Sequence, residues 1–182
     1  MIKGKIEGIY GNETGIILGV NKNKSIKDLK IEKFKIIDKN KEELRTEKEV
    51  TYWSDIIKEI ICKEFTIRSG KKVRKELKIV IDEEYGFMHC KVDRRIVGEN
   101  SILLCVIYNG NSHKGEIEHN VLYECQHNMR VTKAEKCYAA FLINNRRFIF
   151  KEVFRDNDII NKIIEEEKKF YDGLKAEEEK CK

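Results

Sequence analysis

The stretch GFMHCKVDRRIVGENSILLCVIY, from Gly86 to Tyr108, decides the fold of this chain. It predicts a strand over residues 87–96, a turn at Gly98-Glu99-Asn100, and a second strand over residues 102–108. Every residue from Ile102 to Ile107 is apolar. A strand of this kind supplies no oxygen ligand for a divalent cation and no group that could position an attacking water.

Helix and strand signals on both sides extend this pair of strands into a mixed domain. The clearest helix begins with the capping-box sequence Thr46-x-x-Glu49 and ends at Ser69-Gly70. Three more helices are predicted: one at residues 25–37 with Ser25 as N-cap, one at about 118–132, and one from about 156 that frays after 173. Three more strands are predicted at 77–82, 137–143 and 147–154, and the last two form a hairpin. This order indicates one α/β domain over residues 1–182, with a central mixed sheet flanked by helices and an acid-rich tail from about residue 175.

The composition is typical of a globular protein. Of the 182 residues, 41% are hydrophobic and 38% are charged, and the net charge is +5. No stretch resembles a signal peptide or a membrane span. Six cysteines without a CxxC pair are expected to be reduced thiols in a cytoplasmic protein. A polar cluster could bind a metal, but a solvated loop is the favoured interpretation; its members are His113, Glu116, Glu118 and His119.

Several blocks of sequence carry a family signal through their order and spacing. They are residues 52–58, 69–74, 92–98, 126–132 and 137–143. Together they resemble the YqaJ-type viral recombinase family, a group of phage nucleases related to lambda exonuclease. The resemblance covers about residues 15–174 and implies a PD-(D/E)XK nuclease-like fold (the restriction-endonuclease-like core).

The resemblance also locates the charged positions of the family's active site, and most of them have changed. Asp93 matches a family aspartate that precedes an arginine. In the family's Trp-Gly-x-x-x-Glu block, Trp53 is kept, but Lys58 stands where the family has glutamate. On the next strand, Leu104 replaces a glutamate and Val106 replaces a lysine. Glu124 and Asn128 replace the glutamine and the tyrosine of a Gln-x-x-x-Tyr motif. We therefore predict no intact catalytic set and no metal site, with Asp93 as the vestigial position.

Two arrangements of this altered site are open. One aspartate cannot hold Mg²⁺ against its hydration shell, so Lys58 is expected to pair with Asp93 and fill the site as a salt bridge. The weaker alternative is a site rebuilt from Asp55, Asp93 and Glu124, and only this alternative implies Mg²⁺ as a cofactor. Otherwise no cofactor is expected.

Positive charge is concentrated between Arg68 and Lys78, where Glu76 is the single acidic residue. In the family fold these residues would lie around the rim of the DNA groove. Contact with nucleic-acid phosphates and solvated surface charge are both open interpretations. The candidate nucleic-acid-binding residues are Lys71, Lys72, Arg74, Lys75, Arg94 and Arg95.

The loss of family site residues favours a catalytically inactive nuclease-fold protein, from a phage or prophage, that acts by binding. Its expected partner is a host protein or ribonucleoprotein complex of nucleic-acid metabolism or defence, as for an anti-CRISPR protein. A DNA- or RNA-binding module that does not cleave is the second hypothesis. A metal-dependent exonuclease with a relocated site is the third.

Overall fold

The computed structural model describes residues 8–34, 41–109 and 116–180. Its elements follow the order β1 (Ile9–Tyr10), α1 (Gly11–Ile17), α2 (Ile26–Phe34), α3 (Lys41–Ser69), β2 (Val73–Arg74), β3 (Val80–Ile81), β4 (Met88–Cys90), β5 (Arg94–Ile96), β6 (Ser101–Tyr108), α4 (His119–Thr132), β7 (Lys136–Ile143), β8 (Arg147–Phe154) and α5 (Asn157–Lys180). The strands form one sheet in the order β1-β4-β3 and another in the order β2-β5-β6-β7-β8. Within these described ranges, no helix is both long enough and apolar enough to span a membrane.

The larger sheet is mixed, as predicted. β6 and β7 are parallel, whereas β2–β5, β5–β6 and β7–β8 are antiparallel pairs. The β7–β8 pair is the predicted hairpin, and its turn places Asn144 and Asn145 at φ 50° and 54°. Asparagine tolerates this left-handed conformation better than most residues, which explains the tight two-strand connection.

The all-apolar strand β6 is covered by a helix on each face. On one face, Ile61 and Phe65 of α3 pack with Leu103 of β6 in one buried cluster. On the other face, Cys125 of α4 packs with Leu104 in a second cluster. Burial on both faces accounts for the unbroken apolar run, because both sets of alternating side chains are buried from Ser101 to Cys105.

The strand predicted over residues 87–96 is wrong as a single element. β4 pairs with β1 and β3 in the smaller sheet, whereas β5 pairs with β2 and β6 in the larger one. The chain leaves the first sheet at residues 91–93, where the Asp93 carboxylate accepts a hydrogen bond from the backbone amide of Cys105. The split therefore sets Asp93 against the middle of β6.

Three predicted boundaries also differ from the structure. α3 begins at Lys41, so Thr46 lies inside the helix and does not cap it; the upstream sequence is rich in Lys, Glu and Leu, which favour helix. α5 continues past Gly173 to Lys180, because Leu174 is fully buried in a cluster with Leu29 of α2. The strand predicted over residues 77–82 shortens to β3, and β2 was not predicted.

Two predicted helix ends are confirmed. The Ser25 hydroxyl accepts a hydrogen bond from the Asp28 amide at 3.2 Å, and the Asp28 carboxylate accepts one from the Ser25 amide at 3.1 Å. These reciprocal bonds satisfy amide groups at the start of α2. Gly70 follows α3 with φ 70°, the left-handed conformation that ends many helices.

Close packing of α1 against α4 depends on Gly15. A Cβ atom at this position would lie 1.9 Å from Asn120 Oδ1 and 3.3 Å from the Asn120 Cα. Gly15→Ala should therefore lower the free energy of unfolding by about 1–3 kcal/mol, as measured by urea unfolding. Gly86→Ala is the control, since its Cβ would meet nothing within 4 Å, and it should change stability by less than about 0.5 kcal/mol. Equal effects of the two substitutions would contradict the described helix contact.

Candidate functional site

The candidate site lies where α3, β6 and α4 meet the residue that precedes β5. Asp93 Oδ1 accepts a hydrogen bond from Lys58 Nζ of α3 at 2.8 Å. Asp93 Oδ2 accepts one from the backbone amide of Cys105 at 2.8 Å. The Asp93 side chain is 11% exposed and that of Lys58 is 35% exposed. The predicted Lys58–Asp93 salt bridge is confirmed.

The electrostatics of the site keep Lys58 charged and make Glu124 titratable near neutral pH. Burial opposes the charge on Lys58, but the charge of Asp93 and the hydrogen bond to it outweigh burial, and the pKa of Lys58 is raised. Burial, and then the negative charge of Asp93, raise the pKa of Glu124 on α4 to about 7. A carboxyl group with this pKa exchanges a proton readily at physiological pH.

These residues do not fit a magnesium site. Both Asp93 oxygens already accept hydrogen bonds, and Lys58 places a cation where the ion would sit. Leu104 and Val106 contribute no oxygen ligand from their side chains, whereas Mg²⁺ needs several carboxylate or water oxygens in octahedral geometry. Among the described residues, no group of three or more His, Cys, Asp or Glu side chains is arranged to hold a metal.

Of the two alternative metal sites considered from the sequence, one is not assembled and the other includes a residue outside the described ranges. Asp55 is exposed on α3 and, among the described residues, forms no such group with Asp93 and Glu124. In the polar cluster at the start of α4, Glu116, Glu118 and His119 lie in the described ranges, but His113 lies outside them. Asn128 is buried, and its Oδ1 would lie 2.4 Å from a Cβ at Gly11, so it packs against α1.

The six candidate nucleic-acid-binding residues differ in exposure and in their acidic partners. Arg94 is 8% exposed and its guanidinium pairs with Glu59. Its expected place on the rim of a DNA groove stays a prediction. The structure also pairs Lys71 with Glu99, Lys75 with Glu59, and Arg95 with Glu76. Lys72 and Arg74 are exposed and have no acidic partner within the described ranges. Phosphate binding by these two residues stays a prediction.

Sequence reasoning missed the contribution of Cys105 to this site. Its backbone amide holds Asp93, and its Sγ lies 3.5 Å from that of Cys62 on α3. The sequence carried a signal for this contact. Cys62 shares a helix face with Ile61 and Phe65, and Cys105, two residues after Leu103, lies on the same face of the strand. The helical and strand periodicities together place both cysteines in the contact between α3 and β6.

Comparison with known sequences gives a consistent family signal. The sequence profile of the YqaJ-like viral recombinase domain matches residues 4–135. The chain is 36% identical over 171 residues to the uncharacterized protein YqaJ of Bacillus subtilis. That alignment covers 91% of this chain and 52% of YqaJ, so the chain spans about half the length of this curated relative.

Solved structures share the fold. The alkaline exonuclease LHK-Exo from Laribacter hongkongensis superposes with a TM-score of 0.65 at 15% identity, covering 97% of this chain and 92% of that one. A phage related exonuclease from Haemophilus somnus 129PT gives a TM-score of 0.65 at 14% identity, covering 93% and 96%. The predicted PD-(D/E)XK-like α/β fold is confirmed.

The comparisons correct the predicted function. The sequence favoured a catalytically inactive protein that acts only by binding, but the family profile places the chain among YqaJ-like viral recombinase domains, and its fold is that of solved exonucleases. Nothing in the described residues shows inactivity or a binding-only role. The expected host-protein partner stays a prediction.

Proposed function

Because the chain belongs to the YqaJ-like viral recombinase domain family, we propose that it acts on the ends of linear DNA in an exonuclease-type reaction. The observation that carries this proposal is the convergence of Lys58, Asp93 and Glu124 beside β6, at the position where the family resemblance locates the reaction centre. LHK-Exo, which shares the fold, has been solved in complex with dAMP. A nucleotide is the product expected of the proposed reaction.

The three side chains have complementary chemical roles in this proposal. The Lys58 ammonium donates hydrogen bonds to a non-bridging phosphate oxygen, where negative charge builds up during phosphodiester cleavage. Asp93 orients that ammonium through the 2.8 Å hydrogen bond. Glu124 accepts a proton from the attacking water in its ionised form. Since the donor set does not fit a magnesium ion, no step is assigned to one.

Digestion of end-labelled linear duplex DNA tests the proposal. The chain should release labelled nucleotides from linear DNA and leave a closed circle of the same sequence intact. Glu124→Gln removes the proton acceptor with little change of shape, and the rate should fall by roughly 10²–10⁴-fold. Reactions with EDTA and with Mn²⁺ measure any dependence on divalent metal. No nucleotide release by folded wild-type protein under either condition would disprove the proposed function.

The pH dependence of this reaction should follow the ionisation of Glu124. Below its pKa of about 7 the carboxyl carries a proton and cannot accept another. The rate should therefore fall by about tenfold per pH unit on the acid side of 7 and level off on the alkaline side. A pH–rate profile at constant ionic strength measures this. The residual rate of Glu124→Gln should lack the acid limb; an unchanged limb in that variant would assign the titration to another group.

DNA binding should depend on Lys72 and Arg74, which are exposed and lack acidic partners among the described residues. Neutralising both as Lys72→Gln and Arg74→Gln should weaken binding and reduce the slope of log K against log salt by about 2, close to 0.9 per lost phosphate contact. Fluorescence anisotropy over a salt series measures the slope. Lys162→Gln with Lys168→Gln makes the same charge change on α5. Equal losses from both pairs would show a net-charge effect only.

A further inference from the structure

Two buried cysteines face each other beside the candidate site. The Sγ atoms of Cys62 on α3 and Cys105 on β6 lie 3.5 Å apart, and the residues are 3% and 5% exposed. The Cys105 amide holds Asp93, and the Cys105 Sγ lies 4.0 Å from the carbonyl oxygen of Lys58. The thiol pair therefore joins the two elements that position the Lys58–Asp93 salt bridge.

We propose that Cys62 and Cys105 form a reversible disulfide when the protein meets hydrogen peroxide, and that this bond changes the reaction centre. The sulfur–sulfur distance would shorten from 3.5 Å to about 2.05 Å. A movement of this size draws the Lys58 turn of α3 against β6 and disturbs the ion pair with Asp93. The disulfide itself follows from the thiol geometry, whereas its effect on activity rests on the proposed function.

The surroundings of the two sulfurs assign their roles. The hydrogen bond between the thiols lowers the pKa of Cys62 and raises that of Cys105, and Arg94 also favours the Cys62 thiolate. The Cys62 thiolate attacks one peroxide oxygen, the O–O bond breaks, and a sulfenic acid and hydroxide form. The Cys105 sulfur then attacks the sulfenic sulfur, the S–O bond breaks, and the Cys105 proton leaves with that oxygen as water. The cysteines lose two electrons, and peroxide gains them.

Cys90 and Cys137 are less suited to this reaction. Burial raises the pKa of Cys90 to about 12. Burial and a hydrogen bond with Cys125 raise the pKa of Cys137 well above its ordinary value. Peroxide reacts with the thiolate and not with the thiol, so these cysteines should react more slowly than Cys62.

Peptide mapping of the peroxide-treated chain tests the disulfide. Digestion without reductant should yield a linked peptide pair containing Cys62 and Cys105, and thiol titration should show two thiols lost per chain. The link closes a loop of 43 residues, and the melting temperature should rise by roughly 10 °C and return after reduction. Cys62→Ala and Cys105→Ala should each remove the shift, and Cys181→Ala should retain it. A different linked pair, or oxidation of Cys62 without a link, would overturn the proposal.

The effect on the reaction centre is measured separately. The oxidised chain should release nucleotides from linear DNA at least fivefold more slowly than the reduced chain, with recovery after reduction. A linked chain that reacts at the unchanged rate would overturn the regulatory part. Mapping requires neither DNA nor a folded variant, so failure of the proposed DNA reaction and failure of the disulfide give different results.

Discussion

Replacing Asp93 with alanine should abolish the proposed DNA reaction and lower the free energy of unfolding by about 2–4 kcal/mol. The carboxylate joins α3 to β6, since one oxygen accepts from Lys58 Nζ and the other from the Cys105 amide. Without it, an ammonium group and a backbone amide lose their acceptor beside an apolar strand. A buried polar group without a partner lowers the free energy of unfolding by its full desolvation penalty, which exceeds the net stabilisation from the lost hydrogen bond. Urea unfolding measures the loss.

A matched surface pair provides the control for this prediction. Glu76→Ala removes the partner of Arg95, a pair whose side chains are 22% and 28% exposed, and it should cost less than about 1 kcal/mol. Adding Lys58→Met to Asp93→Ala should restore part of the lost stability, because it removes the stranded charge. A loss from Asp93→Ala no larger than that from Glu76→Ala would mean that solvent satisfies Lys58 and the amide.

The centre of the fold could be predicted from local patterns. The apolar run of β6, the helical spacing of α4, and the strand pair around Asn144 and Asn145 each carry a signal within a short window. The division of residues 87–96 between two sheets could not be predicted in this way. Both halves keep the same alternation, and the break is set by the hydrogen bond that the Asp93 carboxylate accepts from the backbone amide of Cys105, twelve residues further along the chain.

The residues of the candidate site could be predicted in part, but their electrostatics could not. The family resemblance predicted that Lys58 and Asp93 lie close together at the active-site positions, and their opposite charges then implied the ion pair. The burial of Arg94 could also have been inferred, because a period of two puts it on the same inward face as Ile96. The raised pKa of Glu124 could not, since it depends on burial and on the distance to Asp93 across separate elements.

The charge of Lys58 is the main barrier to metal binding, and its replacement by glutamate should create a metal site. That substitution would set a third carboxylate opposite Asp93 and Glu124, which is closer to the oxygen set that Mg²⁺ or Mn²⁺ requires. Without metal, mutual repulsion of the carboxylates should lower the free energy of unfolding by about 1–3 kcal/mol. With Mn²⁺ at about 100 times its dissociation constant, binding to the folded state should return about 2.7 kcal/mol. Thermal melting across a Mn²⁺ series with an EDTA reference measures both effects.

Lys58→Gln is the control for this prediction. It removes the positive charge at position 58 without adding a carboxylate that could bind a metal. The glutamine variant loses the salt bridge with Asp93 and gains no carboxylate, so its melting temperature should respond to Mn²⁺ no more than that of the wild type. The wild type itself should respond weakly, because the ammonium at 2.8 Å from Asp93 repels a second cation. If Lys58→Glu and Lys58→Gln respond equally to Mn²⁺, a carboxylate at position 58 does not bind the metal together with Asp93 and Glu124. The assignment of Lys58 to the reaction centre would then be wrong.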